Sequence, residues 1–172
     1  MEKKGFPYLI KSCSLLNNKG YNFRCRIVGE GPDRSALEYL IKDHKLEDKV
    51  YLMPYAESEE LKKIYSETDI FVLPCIIARN GDRDAIPTVL VDVMAIGIPV
   101  ISTNISGIPE LIDNGENGFL VPEQSVEELA EAIEKLISDK ELRINLGKKG
   151  IEKVKRQFDA NDNVSVYTKL LN

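Results

Sequence analysis

Cysteine, histidine and long apolar runs are all scarce in this chain of 172 residues, and each scarcity removes a class of protein. The three cysteines, Cys13, Cys25 and Cys75, are odd in number, widely spaced and form no C-x-x-C pair. Neither a disulfide framework nor a zinc site is indicated, and the three are expected as small buried hydrophobes. His44 is the only histidine and falls near a helix end among charges. No Ser/His/Asp or Cys/His set can be assembled around it, and no metal site is expected. No apolar run approaches the ~18 residues that a membrane helix needs. The start, MEKKGFPYLIK, lacks the charged n-region, apolar h-region and small-residue cleavage site of a secretory signal, so the default expectation is the cytoplasm. Basic excess is lacking too. With a formal net charge of -5 there is no general field to attract phosphodiester backbones or anionic lipid, so nucleic acid is not expected as a partner. Any bound anion needs a local site.

What is present is an ordinary globular composition, 43% hydrophobic and 30% charged, at a length that suits one domain over 1–172 with a sizeable core. Phe6, Leu9, Ile10, Cys13 and Leu16 recur at helical spacing, and Asn18 to Gly20 end that helix. FRCRIV, residues 23–28, reads as a strand that stops at Gly29-Glu30-Gly31-Pro32. Asp33 then caps a helix with Ala36, Leu37, Leu40 and Ile41 inward. Residues 50–52 form a brief strand, followed by a loop from Met53 and a helix capped by Ser58. DIFVL, residues 69–73, is the most strand-like run and ends at Pro74, which cannot donate to a sheet ladder.

A polar loop, a helix opening at Pro87, a stop at Gly97 and a strand over 100–102 come next. A turn-rich connection with one helical turn, PELI, leads to a strand over 119–121. Ser125 with Glu128 forms a capping box, and two further helices, 140–156 and 160–171, complete the chain. The Lys-rich run 148–156 reads as the wet face of the first of these. Alternating strands and helices, with continuously apolar strands, indicate an α/β fold: a Rossmann-like, three-layer parallel sheet with helices on both faces.

In such sheets ligands sit beyond the carboxyl ends of the strands. That edge holds 29–32, Met53 to Tyr55, 74–84, 103–110 and Pro122. GEGP fails as a dinucleotide fingerprint, because G-x-G-x-x-G requires glycine where Arg34 stands, and a tight strand-to-helix turn needing positive φ is the better reading. An NAD-dependent oxidoreductase is thereby disfavoured. Pro87 suits the first turn of a helix and leaves the amides of Thr88 and Val89 free to face an anion. Asp84 and Asp92, eight positions apart around that proline, suggest acceptance of hydroxyl groups, as in sugar binding. A buried helix with one exposed aspartate explains most of the same residues.

Taken in order, EKKGFPYLIK, the strand ending in GEGP, DIFVLP, DRDAIPTVLVDVMAIGIPVIST, SGIPELI and NGFLV resemble the nucleotide-sugar-binding C-terminal domain of family-4 retaining glycosyltransferases, one half of a GT-B fold. The resemblance spans essentially the whole chain. It implies that Asp84 is the acid at the donor sugar and the catalytic candidate, with Asp92 on the ribose hydroxyls. Pro87 is in register between them. Two positions depart from the pattern: Asp92 stands where glutamate is usual, and Ala85 where glycine is usual. Lys4, directly before Gly5, matches the lysine that contacts the donor diphosphate. Gly31, the Met53-Pro54-Tyr55 loop, Ala85, Ile86, Thr88 and Val89 complete the implied donor-binding set.

The implied substrate is a UDP- or GDP-linked sugar, with no cofactor and no metal, used for hexosyl transfer in polysaccharide or glycolipid synthesis. The implied setting is cytoplasmic, with a membrane-peripheral full-length enzyme left open. A non-catalytic nucleotide-sugar-binding module is the alternative. The family's first strand, its partner arginine and the N-terminal acceptor domain all precede the matched region, so the chain is expected to be a fragment, inactive alone. That first strand is central in the doubly wound order. Without it the chain is expected either to be poorly stable or to fill the gap by self-association.

Overall fold

The computed structural model describes residues 2–158. A 3-10 turn, Glu2–Lys4, leads into α1 (Phe6–Asn18). Then follow β1 (Cys25–Val28), α2 (Arg34–Asp43), β2 (Val50–Met53), α3 (Ser58–Ser66), β3 (Phe71–Leu73) and α4 (Thr88–Ala95). The chain continues through β4 (Val100–Thr103), α5 (Ile108–Leu111), β5 (Gly118–Val121), α6 (Val126–Ser138) and α7 (Lys140–Phe158). The expected helix over 160–171 lies outside the described residues.

Every strand pairing is parallel, with Cys25 opposite Val50, Phe71 opposite Val100 and Val100 opposite Gly118. Helices cover both faces because neighbouring strand residues point to opposite sides. Ile101 joins a core made with α1, α2 and α6, whereas Val100 joins a second core with α4, α5 and Val154 of α7. Leu16, Leu46, Leu90, Met94, Leu129 and Leu136 are fully buried between these layers.

The strands do not form one continuous sheet. β1 pairs only with β2, and the order β3-β4-β5 forms a second sheet. Between them lies a cavity of about 730 Å³, bordered by the whole of β1, by β3 and by Leu9, Cys13 and Leu16 of α1. One edge of β1 and one of β3 therefore carry no ladder partner among the described residues.

Several local expectations are corrected. The first and third runs begin as strands only at Cys25 and Phe71, because those are the first residues with a partner in register. Ser58 is the first residue of α3 and Glu57 its N-cap, with the Glu57 carbonyl accepting from the Leu61 amide at 2.8 Å. Ala36 is exposed, so the inner face of α2 is narrower than its periodicity suggests. Ser125 is the N-cap of α6, but its hydroxyl donates to Glu128 at 3.4 Å and caps no backbone amide.

The Lys148-to-Arg156 run is not uniformly wet. Lys153 is 7% exposed and its ammonium donates to Asp113 at 2.8 Å, while a Cβ on Gly147 would lie 2.1 Å from the Gly97 carbonyl oxygen. Helix α7 is thus keyed onto the C-terminus of α4 and the connection before β5. The cysteines follow expectation at Cys13 and Cys75, which are buried, and less fully at Cys25, which is half-buried.

Candidate functional site

The strands of the second sheet run the same way, so the loops after β3, β4 and β5 share one edge. The site is assembled there by Gly5. This residue has φ +65°, and a Cβ on it would meet the Pro74 carbonyl oxygen at 1.9 Å. Only glycine allows so close a backbone approach. The Ile76 amide donates to the Lys3 carbonyl at 3.0 Å, which docks the turn before α1 onto the segment after β3. Two lysines are thereby brought to two acids some eighty positions away.

Lys4 Nζ donates to Asp84 Oδ2 at 2.7 Å. Lys3 Nζ lies 3.3 Å from Asp84 Oδ1 and donates to Asp82 Oδ1 at 3.2 Å. The Asp84 side chain is only 19% exposed. Burial by itself pushes its carboxyl upward, but the hydrogen bonds and charges of Lys4 and Lys3 outweigh that and hold it below the ordinary carboxylate range. The neighbouring Cys75 thiol is pushed up to about 11, chiefly by burial and against the pull of the Lys4 charge.

The loop carrying the acids is fixed from behind. Thr103 Oγ1 donates to the Cys75 carbonyl at 2.6 Å, Ser102 Oγ to the Leu73 carbonyl at 2.7 Å, and the Ile77 amide to Glu123 at 2.9 Å. The Gly107 amide donates to the Ala85 carbonyl at 3.0 Å, and a Cβ on Gly107 would press on Ile86 at 2.8 Å.

Pro87 is the N-cap of α4, with ψ 120°, and the first helical residue is Thr88. The helix thus starts one residue later than the sequence suggests. Leu90 donates its amide to the Pro87 carbonyl, and no bond within the described residues is made by the amides of Thr88 and Val89. Those two donors point from a helix N-terminus with its partial positive charge. Asp84 precedes the helix and Asp92 lies inside it, so the eight positions between them are part loop, part helix. Asp92 is exposed on α4, near enough to Tyr65 for its charge to reinforce the upward push that burial gives the phenol.

The remaining expected residues lie at the ends of β1 and β2 and make no hydrogen bond to Asp84. Gly29, at the end of β1, has the positive φ, 127°, that the turn requires, whereas Gly31 does not. Gly31 and Tyr55 border the large cavity together with Lys4 and Val89. Met53 ends β2 half-buried, Pro54 is exposed, and Tyr55 is 72% exposed. Lys3 is the residue that sequence reasoning passed over. Its signal was the doubled lysine before Gly5, facing acids at alternate positions in GDRD. Among the described residues no three His, Cys, Asp or Glu side chains are grouped as a metal site needs, and no helix is long and apolar enough to cross a membrane.

Comparison with known proteins gives the family and the fold. Over 129 residues the chain is 43% identical to the putative colanic acid biosynthesis glycosyltransferase WcaL of Salmonella typhimurium, an alignment that covers 75% of this chain and 32% of that protein. The chain therefore spans about a third of the length of this curated relative. The crystal structure of the C-terminal domain of a glycosyl transferase group 1 family protein, LpcC, from Francisella tularensis superposes with a TM-score of 0.80 at 25% identity, covering 93% of this chain and 82% of that one. The Anabaena protein HepE in complex with UDP shares the fold, with a TM-score of 0.84 at 21% identity over 99% of this chain and 46% of its own. The architecture is that of one half of a GT-B glycosyltransferase. With residues 1–153 matched by the family model for glycosyl transferases group 1, the chain belongs to that family.

Proposed function

We propose that the chain is the donor-binding half of a glycosyltransferase that transfers a hexosyl group, with retention of anomeric configuration, from a UDP- or GDP-linked sugar during polysaccharide or glycolipid assembly. The observation that carries this reading is the Lys4–Asp84 pair at 2.7 Å beside the unbonded amides of Thr88 and Val89. A cation and two helix-end donors suit a diphosphate, and the carboxylate paired with that cation suits the hydroxyls of the sugar attached to it. Support from outside the chain comes from WcaL, a colanic acid biosynthesis glycosyltransferase, and from UDP bound to HepE.

Lys4 and the Thr88 and Val89 amides neutralise the leaving diphosphate, whose negative charge grows as the glycosidic bond breaks. Asp84 orients the donor sugar. Asp92 takes the ribose hydroxyls, for which its exposure on α4 leaves it available. The Met53-Pro54-Tyr55 loop flanks the base, with Tyr55 offering an exposed ring. The acceptor site belongs to the remaining two-thirds of a full-length protein of the relatives' size, so the chain alone transfers nothing. The break between β1 and β3 supports the further reading that one strand of the complete domain is missing from this stretch.

Calorimetry with UDP, GDP and ADP tests the donor reading. Binding of UDP or GDP that is lost in Lys4→Ala and weakened in Asp92→Ala is expected. If none of the three nucleotides binds at millimolar concentration to a folded chain, the proposal fails.

A further inference from the structure

We propose that Lys3, to which no role has been assigned, is a positioning residue that holds Asp84 while Lys4 leaves it for the donor diphosphate; the inference rests on the donor-binding reading above. Asp84 divides its two oxygens between two cations, with Oδ2 on Lys4 at 2.7 Å and Oδ1 on Lys3 at 3.3 Å. The two lysines are not equivalent. Lys3 is anchored twice more, through its ammonium on Asp82 at 3.2 Å and through its carbonyl, which accepts from the Ile76 amide. Among the described residues the Lys4 ammonium has Asp84 as its one carboxylate partner.

Lys3, Lys4, Asp82 and Asp84 together carry no net charge, so within this cluster both ammonium groups are already taken by carboxylates. A diphosphate must draw one ammonium away from a carboxylate. Lys4 is the one that can go, because its departure breaks one ion pair whereas that of Lys3 breaks two. The carboxylate left behind would then face the arriving negative charge. With Lys3 still on Oδ1, Asp84 keeps a counter-ion, stays ionised and retains its orientation. The same exchange frees Oδ2, the oxygen that Lys4 had occupied, to accept a hydroxyl from the sugar. Diphosphate capture by Lys4 and exposure of the sugar-binding oxygen are thus a single event, with Lys3 as its fixed point.

The test is a double-substitution cycle read by UDP and GDP affinity in the full-length protein and in this chain. Lys3→Met should weaken binding about tenfold, the weight of one charge-assisted hydrogen bond. In an Asp84→Asn background the only carboxylate left without Lys3 is the solvent-exposed Asp82, and the same substitution should cost less than about twofold. Lys3→Arg should regain most of the loss. A fold-only role, or direct contact of Lys3 with phosphate, predicts equal losses in both backgrounds, and that result would overturn the exchange. A second readout needs no ligand: the Asp84 titration midpoint, followed by carboxyl-carbon NMR, should rise in Lys3→Met, and an unmoved midpoint also overturns the proposal. A wild type that binds neither nucleotide removes the donor reading and the exchange with it, whereas a wild type that binds, with equal losses across the cycle, removes the exchange alone.

Discussion

Gly5 and Pro74 are in backbone contact, so close that a Cβ on Gly5 would sit 1.9 Å from the Pro74 carbonyl oxygen. This one approach places Lys3 and Lys4 on the acidic loop. Gly5→Ala adds a clash with backbone to a side chain at φ +65°. A loss of about 2 kcal/mol or more is expected in urea denaturation. The part of the fold that remains should bind nucleotide more weakly, because the lysines are displaced from Asp84. An alanine variant with unchanged stability and affinity would mean that the two segments are not docked through this contact.

Lys153 and Asp113 form an asymmetric pair, with side chains 7% and 49% exposed. Removing the acid strands a buried ammonium, whereas replacing the lysine with an apolar chain removes the charge itself. Asp113→Ala should therefore cost about 1–3 kcal/mol, and Lys153→Met clearly less. Chemical denaturation of the two variants gives the order directly. The reverse order would show that Lys153 acts through something other than this ion pair.

How much of this was legible in the sequence depends on how local each feature is. The parallel sheet, its two-sided burial and the strand-end edge follow from runs such as VIST, where Val100 and Ile101 face opposite cores. The positions of Asp84, Pro87 and Lys4 were legible from their motif. What escaped was set by partners far along the chain. Lys153 looked like one more lysine on a wet helix because Asp113 lies forty positions away. Lys3 was passed over because its partner Asp82 lies seventy-nine positions away. The start of α4 was misjudged by one residue because Pro87 can serve either as N-cap or as first helical residue, and its ψ of 120° decides for the cap.

The Asp84 pairing predicts an acid-side loss of stability. Its carboxyl is held below the ordinary value in the folded chain, so the unfolded chain takes up a proton first as pH falls. The stabilisation is fully present above the unfolded value, about 3.9, and is lost as pH drops through the lower folded value. Urea midpoints should therefore be flat from neutral pH to about pH 5 and decline below about pH 4. Glu134 acts with the same sign, held down first by its hydrogen bond from Lys19 and then by that from Tyr21. Asp84→Asn should consequently flatten part of the decline and leave part. A decline unchanged in that variant would show that the lysines do not favour the ionised form.

The break in the sheet carries the last prediction. A strand edge presents unpaired N–H and C=O groups, and an edge flanked by apolar cavity walls cannot satisfy them well with water. β1 and β3 each present one such edge, across a cavity of about 730 Å³ bordered by Leu9, Cys13 and Leu16. A parallel strand inserted there needs two inter-strand spacings of about 4.8 Å each, and it would turn two small sheets into one. The isolated chain is accordingly expected to associate with rising concentration in light scattering. Hydrogen exchange should slow in parallel at the alternate amides of β1 and β3 that face the slot, and not at Cys25 and Phe71, whose amides already donate to the Lys49 and Pro99 carbonyls. Association without added protection there would place the contact elsewhere on the surface. A monomer with a high melting temperature and already protected slot-facing amides in β1 and β3 would mean that the chain closes the gap by itself, and the missing-strand reading would fall.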